Sequence, residues 1–216
     1  MEAKIKVAIQ GKKGSFHHIV AKRYFGNQLS LVTCETFDSS VRELLRNSAD
    51  LAVMAIENSI AGSIIPNYAL IDQNDLKIVG EYGLNINHNL MVLPGQIIDD
   101  IKEVHSHPMA LLQCKNFFQK YPSIVMVESE DTAEEAFRIS KDQIKGIGAI
   151  ASQEAADIYH LDILEHSIQS IKNNITRYVI IQKKESLVSE DKINKASLKF
   201  TLDHQRGSLA AVLNVM

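Results

Sequence analysis

Residues 174–178 read Asn-Ile-Thr-Arg-Tyr and lead directly into the apolar run 179–181, Val-Ile-Ile. Because successive side chains of a strand point to opposite faces, Asn174, Thr176 and Tyr178 are expected to share one side. A Thr-Arg pair at the entry of a strand is by itself more typical of a solvated edge. Its meaning depends on the other polar segments of the chain.

Two further polar segments also stand where an apolar run ends. Residues 57–62 read Glu-Asn-Ser-Ile-Ala-Gly, and residues 106–111 read Ser-His-Pro-Met-Ala-Leu. In open α/β sheets, ligands bind outside the carboxyl ends of the strands. The three segments are therefore predicted to converge on one cleft.

The composition is that of an ordinary globular protein. The 216 residues are 45% hydrophobic and 23% charged, and the formal net charge of −3 disfavours a nucleic-acid binder. No stretch approaches the roughly 20 apolar residues that span a bilayer. Cys34 and Cys114 form no metal-type pair and are expected to be free, buried thiols. These features predict a cytoplasmic protein that binds neither nucleic acid nor membrane.

Short apolar runs alternate with longer amphipathic segments, which predicts βαβ units and a mostly parallel sheet. Helices are expected at 17–25, 37–47, 64–73, 109–120, 132–141 and 153–159. Strands are expected at 6–10, 29–34, 51–56, 77–83, 89–93, 103–105, 124–127, 147–151 and 178–182. The polar stretch 183–194 is the one candidate linker.

The polar segments resemble motifs of the prephenate dehydratase family. The Asn-x-Thr-Arg-Phe motif of that family is matched at 174–178, with Tyr178 in the place of Phe. Its Glu-Asn-Ser segment is matched at 57–59. Its Ser-His-Pro-Gln-Ala-Leu segment, which ends in Gln-Cys, is matched from 106 to 114 except that Met109 replaces Gln.

The first loop of the family, Gly-Pro-x-Gly-Thr-Phe-Ser, is matched less completely at 11–17. Gly11, Gly14 and Phe16 fit and Ser15 stands in the Thr place, whereas Lys12 and His17 depart from the pattern. The resemblance covers essentially residues 5–213, and the four motifs occur in the family's order.

The resemblance implies an α/β fold in which a two-lobed catalytic part, like a type II periplasmic-binding protein, carries parallel-rich sheets. The implied catalytic domain spans 1–182, with lobe one at about 1–84 plus 168–182 and lobe two at about 85–167. A linker at 183–195 would join it to 196–216, the start of an incomplete ACT-like α+β regulatory domain.

The implied activity is a carbon–oxygen lyase that converts prephenate to phenylpyruvate in phenylalanine biosynthesis. Because the product is aromatic, the reaction has a large driving force, and neither a cofactor nor a metal is expected. Prephenate is a dicarboxylate with a departing ring hydroxyl, so the site needs donors for two carboxylates and a hydrogen bond to the leaving oxygen.

Family likeness assigns the catalytic role to Thr176 and a bidentate carboxylate clamp to Arg177. Glu57 is expected to have a structural role, because a carboxylate would repel a dianion. Helix N-termini near 109 and 132 are expected to add backbone donors for anions. The remaining predicted substrate-binding residues are Asn58, Ser59, Ser15, Ser106, His107, Thr132 and Asn174.

Less specific signals favour structural interpretations. His105 and His107 are spaced for one strand face, but no third metal ligand is evident, so helix capping and cleft lining are favoured. Residues 11–15 lack the Gly-Lys-Ser/Thr ending of a phosphate loop and predict a tight turn. The alternative function is a non-catalytic module that binds small carboxylates on the same fold; such a module would need Arg177 but no hydroxyl at a leaving group.

The last residues are expected to form a strand at 196–202 and an apolar helix from Ser208. The family resemblance implies a partial phenylalanine effector site at Gly207, Ser208, Leu209 and Ala210. Since a lone strand and helix bury little surface, we expect this segment to order on the catalytic part or on another subunit, in a homodimer or higher oligomer. Phenylalanine is expected to act as an effector only with a complete ACT domain.

Overall fold

The computed structural model describes residues 4–183 and 195–216. The chain divides into two compact units, one ending at Ser186 and one beginning at Leu187. Eleven predicted linker residues, 184–194, lie outside the described residues. No helix in the described ranges is long and apolar enough to cross a membrane.

Eleven strands and six of the seven described helices belong to the first unit. The strands are β1 (Ile5–Gln10), β2 (Leu29–Cys34), β3 (Leu51–Asn58), β4 (Gly62–Ser63), β5 (Leu76–Asn85), β6 (Asn89–Val92), β7 (Glu103–Ser106), β8 (Val125–Glu128), β9 (Ile147–Ala151), β10 (Asp162–Glu165) and β11 (Ile175–Lys183). The helices are α1 (Phe16–Phe25), α2 (Phe37–Leu45), α3 (Ile65–Gln73), α4 (Pro108–Phe118), α5 (Thr132–Lys141), α6 (Gln153–Tyr159) and α7 (Ser208–Leu213).

The strands form two sheets of the same design. The first has the order β2-β1-β3-β11-β5, with β4 added to β3, and the second has the order β8-β7-β9-β6-β10. In each five-strand order, four strands run in one direction and one runs against them, β11 in the first sheet and β6 in the second. The α/β fold with parallel-rich sheets is confirmed, while the short strands β4 and β10 were not predicted.

We call the first sheet with α1–α3 lobe one and the second sheet with α4–α6 lobe two. The chain crosses between them after β5 and returns before β11. The two crossings are hydrogen-bonded to each other, because Ile168 N donates to His88 O at 2.8 Å and Ile86 N donates to Asn174 O at 2.7 Å. The start of β11 is therefore held at the junction of the lobes.

Each sheet is buried on both faces, which explains its continuous apolar strands. In lobe one, Val7, Ile9 and Ile180 pack with α1 residues such as Val20 on one face. The opposite face packs against α2 and α3, with Met54 at its centre, completely buried. The strands of lobe one are thus anchored by close packing, which holds their carboxyl ends in place.

Helix starts carry the capping chemistry that their sequences indicate. Thr36 and Ser39 form a reciprocal capping box at the start of α2. Asp131 accepts hydrogen bonds from the N–H groups of Ala133 and Glu134, both at 2.9 Å, at the start of α5. Both caps fix helices that follow the carboxyl ends of strands.

The second unit is described here only from residue 195. The helix predicted from Ser208 is present as α7 and is preceded by Gly207, whose φ of 89° suits glycine. The strand predicted at 196–202 is wrong, because residues 195–202 adopt no regular structure. A strand needs a hydrogen-bonded neighbour, and none lies within this described segment. The ACT-like part is accordingly not evident in the fold of residues 195–216.

Candidate active site

Thr176 lies near the start of β11, between two neighbouring strands. It is paired with Asn58 at the end of β3 and with Leu84 of β5. Thr176 is 7% exposed, and its side chain is hydrogen-bonded to that of Tyr178, two residues further on the same face. Burial raises the pKa of the Tyr178 phenol, which therefore stays protonated at neutral pH.

The amide of Asn58 holds the Thr176 hydroxyl in place. Its Oδ1 accepts the backbone N–H groups of Ile60 at 3.0 Å and Ala61 at 2.9 Å. Since a backbone N–H can only donate, the Nδ2 group must face the other way, where it donates to Thr176 Oγ1 at 2.8 Å and to Asn174 Oδ1 at 2.6 Å. The sequence prediction that Asn58, Asn174 and Thr176 converge agrees with this geometry.

The same bonds determine what the Thr176 hydroxyl can do. Its oxygen accepts from Asn58, so its proton is directed elsewhere, to the Tyr178 oxygen or to a ligand oxygen. An oxygen that accepts a hydrogen bond becomes a better donor. The hydroxyl is thus prepared to donate to a group that gains negative charge.

Ser59 ties the end of β3 to the start of β11. Its Oγ accepts the N–H of Ile175 at 2.9 Å, and the N–H of Ser59 donates to the carbonyl of Ile175 at 2.9 Å. Ser59 thus lies next to the Thr176 cluster, with its hydroxyl engaged by the backbone.

Arg177 is separated from Thr176 by the alternation of the strand. Its guanidinium donates to Glu81 Oε2 at 2.8 and 3.1 Å and lies 3.7 Å from a carboxylate oxygen of Glu57. The side chain is 45% exposed on the face opposite Thr176. The structure thus places Arg177 in ion pairs with Glu81 and Glu57 on the face away from Thr176, and its role as a carboxylate clamp stays a prediction.

Ser106 is engaged within the core of lobe two. Its side chain is fully buried, and its Oγ donates to the Ile150 carbonyl at 2.7 Å. This bond links β7 to β9 and occupies the Ser106 proton, while the predicted substrate contact stays a prediction.

His107 caps α4, its Nδ1 accepting from Met109 N at 3.2 Å. The α5 start is capped by Asp131, while Thr132 is buried in its first turn. The N–H groups of Met109, Ala133 and Glu134, which were expected to bind anions, are thus occupied by side chains. Ser15 is likewise buried and caps α1 through His18 N at 3.3 Å.

A cavity of about 540 Å³ opens between the lobes. Burial lowers the pKa of His107, against the opposing effect of Asp131 and Glu128, so this imidazole is neutral at pH 7. Burial also raises the pKa of Asp131, although its bonds from N–H groups oppose the shift. The mouth thus has more acidic than basic groups; it is lined by Glu35, Thr36, His107, Pro108, Glu128, Ser129 and Glu130.

The first loop joins lobe one to lobe two. Ser152 Oγ donates to the Gly14 carbonyl at 2.6 Å, and Tyr159 donates to the Lys13 carbonyl at 2.7 Å. Gly14 has a φ of 87°, and a Cβ there would lie 2.7 Å from the Ala155 Cα. Lys12, which departs from the family pattern, pairs with Glu134 at 3.3 Å.

His17, the second departure in the first loop, is a core residue. Its Nε2 accepts the N–H of Ala55 at 3.3 Å, at the place where the pairing of β3 with β11 shifts register. The ring packs edge-on against Tyr178 with centroids 4.9 Å apart. Burial lowers the pKa of His17 to about 3, so the ring is neutral. In this form it packs against β11, the strand that carries Thr176.

One family model matches most of the chain. The model of the family described as prephenate dehydratase matches residues 7–186. The chain belongs to the prephenate dehydratase family.

Relatives and solved structures extend the comparison. The chain is 39% identical over 213 residues to arogenate dehydratase 2 of Petunia hybrida, covering 99% of this chain and 54% of that protein. It is 33% identical over 209 residues to a bifunctional chorismate mutase/prephenate dehydratase of Buchnera aphidicola, covering 95% and 54%. It thus spans about half the length of these curated relatives. The fold matches a prephenate dehydratase of Arthrobacter aurescens, solved in complex with L-Phe, with a TM-score of 0.82, 22% identity and coverage of 97% and 71%.

Within this family site, three buried or partly buried polar residues were missed by the sequence analysis. Gln113 on α4 accepts from Asn174 Nδ2 at 2.9 Å, and His88 contacts the same Gln113 oxygen at 3.1 Å. The side chain of Gln169 accepts a hydrogen bond from the backbone N–H of His88 at 3.0 Å. Gln113 could have been found, because it belongs to the Gln-Cys ending of the matched segment. His88 and Gln169 lie in the crossings, where no local pattern marks them.

The described residues contain no group of three or more His, Cys, Asp or Glu side chains placed to hold a metal ion. His105 is instead bonded to Glu103 at 2.8 Å and to Arg138 at 3.1 Å on lobe two. Cys34 and Cys114 are free and buried.

Proposed function

We propose that this chain catalyses the decarboxylative dehydration of prephenate to phenylpyruvate, as a carbon–oxygen lyase of phenylalanine biosynthesis. The observation that carries the proposal is the Thr176 hydroxyl, whose oxygen is held by Asn58 and whose proton is directed away from it. Family membership over residues 7–186 supports the same reaction class.

In the proposed reaction, the bond from the ring to its carboxylate breaks and carbon dioxide leaves. The electron pair enters the ring as the bond to the ring hydroxyl breaks, and the ring becomes aromatic. Thr176 donates its hydrogen bond to the departing oxygen, which takes up a proton from solvent and leaves as water. Because charge develops on that oxygen in the transition state, a positioned donor lowers the barrier.

Two further roles follow for the neighbouring groups. Asn58 and Asn174 orient the hydroxyl, and Ser59 keeps the strand ends together. We place the substrate at the junction of the lobes, with His107 and the first loop, including Ser15, at its border. Thr132 stays a proposed contact, while Ser106 and Arg177 are given structural roles.

A second substrate is favoured by a separate observation. Several relatives are named arogenate dehydratases, and arogenate carries an ammonium group where prephenate has a keto oxygen. The mouth of the cavity is lined by the carboxylates of Glu35, Glu128 and Glu130. An ammonium group is attracted by such a border, and this group distinguishes arogenate from prephenate, since both compounds carry two carboxylates.

The test is a direct assay of the purified chain with each compound, without added metal. Formation of phenylpyruvate from prephenate, or of phenylalanine from arogenate, supports the lyase function, and the ratio of the two kcat/KM values identifies the preferred substrate. Activity is expected to survive dialysis against a chelator. Saturable binding of both compounds with no turnover would instead support the non-catalytic binding module.

Regulation and assembly belong to the same proposal. We propose phenylalanine as an effector where the segment at Gly207, Ser208, Leu209 and Ala210 is part of a complete ACT domain. We also propose that the chain forms a homo-oligomer and that it is located in the cytoplasm. Titration of phenylalanine into the assay tests the first statement, and the mass of the purified protein in solution tests the assembly.

A further inference from the structure

The hydrogen bonds that hold Thr176 continue away from the site to a buried imidazole. We call Asn58, Asn174, Gln113 and His88 the amide chain. It passes from the end of β3 through the start of β11 and α4 to the first crossing. Every bond in it is between 2.6 and 3.1 Å long.

The direction of each bond is determined by the backbone at one end. Asn58 Oδ1 is held by two N–H groups, so Asn58 donates to Asn174 Oδ1. Asn174 must then present its Nδ2 group to Gln113, and Gln113 must present its oxygen. That oxygen can bond to His88 only if His88 Nε2 carries the proton. The geometry thus assigns the tautomer of His88.

The surroundings of His88 keep the ring in that orientation. His88 is 4% exposed, and its backbone N–H donates to Gln169 Oε1 at 3.0 Å. Its ring packs edge-on against that of Phe16, with centroids 5.5 Å apart. Its Nδ1 has no hydrogen-bond partner among the described residues. Burial lowers the pKa of His88 to about 4, so the ring is neutral at pH 7. The packing around His88 therefore fixes the orientation of the ring, and its neutral form donates to Gln113 through Nε2.

We propose that His88 and Gln113 are positioning residues for the dehydration. They hold the Asn174 amide in the orientation that accepts from Asn58 Nδ2. Asn58, whose Oδ1 is fixed by the N–H groups of Ile60 and Ala61, is thereby kept in the position from which it donates to Thr176 Oγ1 and leaves the Thr176 proton for the substrate. This inference rests on the proposed function of Thr176. If the Gln113 amide were reversed, its NH₂ group would face the NH₂ group of Asn174, and Asn174 would no longer support the Asn58 NH₂ group beside Thr176.

The first experiment measures the tautomer without any activity assay. The ¹⁵N chemical shifts of the two His88 ring nitrogens in the folded chain at pH 7 distinguish a protonated Nε2 from a protonated Nδ1. We expect a protonated Nε2 and a bare Nδ1. A protonated Nδ1 overturns the proposal, even if the chain is an active dehydratase.

The second experiment measures the link to Thr176 by kinetics. We expect His88→Leu to lower kcat about tenfold with KM within about twofold, and His88→Gln, which keeps an N–H donor, to recover most of the loss. In a Thr176→Ala background, His88→Leu should have no further effect, because the proton that it positions is gone. An equal tenfold loss in both backgrounds, or no recovery by His88→Gln, overturns the positioning role.

Gln96→Leu is the matched control. Gln96 is also buried, accepts the Gly146 N–H at 2.7 Å and lies in lobe two away from the amide chain. It should reduce stability but leave kcat of the folded protein within about twofold.

Gln113→Leu and Gln113→Glu serve as a second pair if His88→Leu does not fold. Glutamate keeps an acceptor for both donors, so it should retain kcat within about threefold, while leucine should lose about tenfold. Equal losses in the two variants overturn the proposal. If the unmodified chain shows no turnover of either substrate, the proposed function fails, and the tautomer measurement still decides the order of the amide chain.

Discussion

The two lobes share one strand order but differ in the side chains at the strand that runs against the others. In lobe one, Thr176 of β11 stands opposite Asn58 of β3, whereas in lobe two Asn89 of β6 stands opposite Ala151 of β9. Asn89 donates to the Ala151 carbonyl at 3.3 Å and accepts the Ser167 N–H at 3.0 Å. Its polar groups are therefore used by the backbone, while the Thr176 proton is left for a side chain or a ligand.

This difference shows how one scaffold can serve two purposes. A buried polar group whose bonds all end on the backbone stabilises the fold. A buried hydroxyl held from one side by an amide keeps its proton for chemistry. The same position in the topology is thus structural in lobe two and, in the proposed reaction, catalytic in lobe one.

The largest expected effect comes from replacing Thr176 of lobe one and Asn89 of lobe two, each by alanine. Thr176→Ala should lower kcat by about 10²–10⁴-fold and change the free energy of unfolding by about 1 kcal/mol or less. Asn89→Ala should instead lower that free energy by roughly 1–3 kcal/mol and leave kcat of the folded protein nearly unchanged. Steady-state kinetics and urea unfolding of both variants measure the contrast. A near-normal kcat for Thr176→Ala would remove Thr176 from the mechanism.

The next effect is the acid sensitivity that His17 gives to lobe one. Its pKa is lowered from 6.5 to about 3 by burial. Between these pH values His17 is protonated in the unfolded chain but neutral in the folded chain. Stability is therefore full above pH 6.5 and is lost as the pH falls towards 3, by about 2 kcal/mol at pH 5. His17→Phe removes this contribution but not that of His88, whose pKa burial lowers to about 4, and urea unfolding at pH 7 and pH 5 measures the reduced difference.

The control for this pH effect is His166→Gln, a substitution at an exposed histidine of lobe two. It should leave the difference between pH 7 and pH 5 as it is in the unmodified chain. If His17→Phe also leaves that difference unchanged, His17 does not contribute to the pH dependence of stability.

A smaller effect separates the two faces of β11. Because Arg177 is paired with Glu81 and Glu57 away from Thr176, Arg177→Lys should change KM by less than about threefold and stability by about 1 kcal/mol or less. Kinetics of this variant beside Thr176→Ala make the comparison. A tenfold rise in KM would restore the carboxylate clamp and require the side chain to turn towards the substrate.

The smallest effect is expected for the ion pair between the lobes. Lys12→Ala removes a half-exposed pair with Glu134, which is worth roughly 0–1 kcal/mol and is screened by salt. Unfolding at low and high ionic strength should show a difference only at low salt. A loss above about 2 kcal/mol would mean that this pair holds the lobes together by more than a surface contact.

Prediction from sequence succeeded where the signal is local. The helices α5 and α6 and the strands β2 and β9 were predicted to the residue, because caps, apolar periodicity and short apolar runs mark them. The failures have a shared cause. The strand at 196–202 was predicted from alternation alone, yet a strand also needs a neighbour, and β10 is a short strand defined by pairing with β6.

The site divides in the same way. The pentapeptide 174–178 and the segment 57–59 were sufficient to predict that Asn58, Asn174 and Thr176 meet. Gln113 and His88 lie 61 and 25 residues away from their partners Asn174 and Gln113, so no spacing along the chain could relate them. Arg177 was assigned to the cleft by its neighbours in the motif, although strand alternation turns it to the other face.

The sequence by itself determined the α/β class, the family and the polar residues that end the central strands of lobe one. These depend on local propensity, periodicity and motif order, which a linear reading contains. Only the tertiary structure decided that the Ser106 hydroxyl donates to a backbone carbonyl, whereas the Thr176 hydroxyl is directed to a side chain or a ligand. That distinction depends on the donors and acceptors that packing brings within about 3 Å, and a chain of amide groups acquires its direction only when its last member meets the backbone.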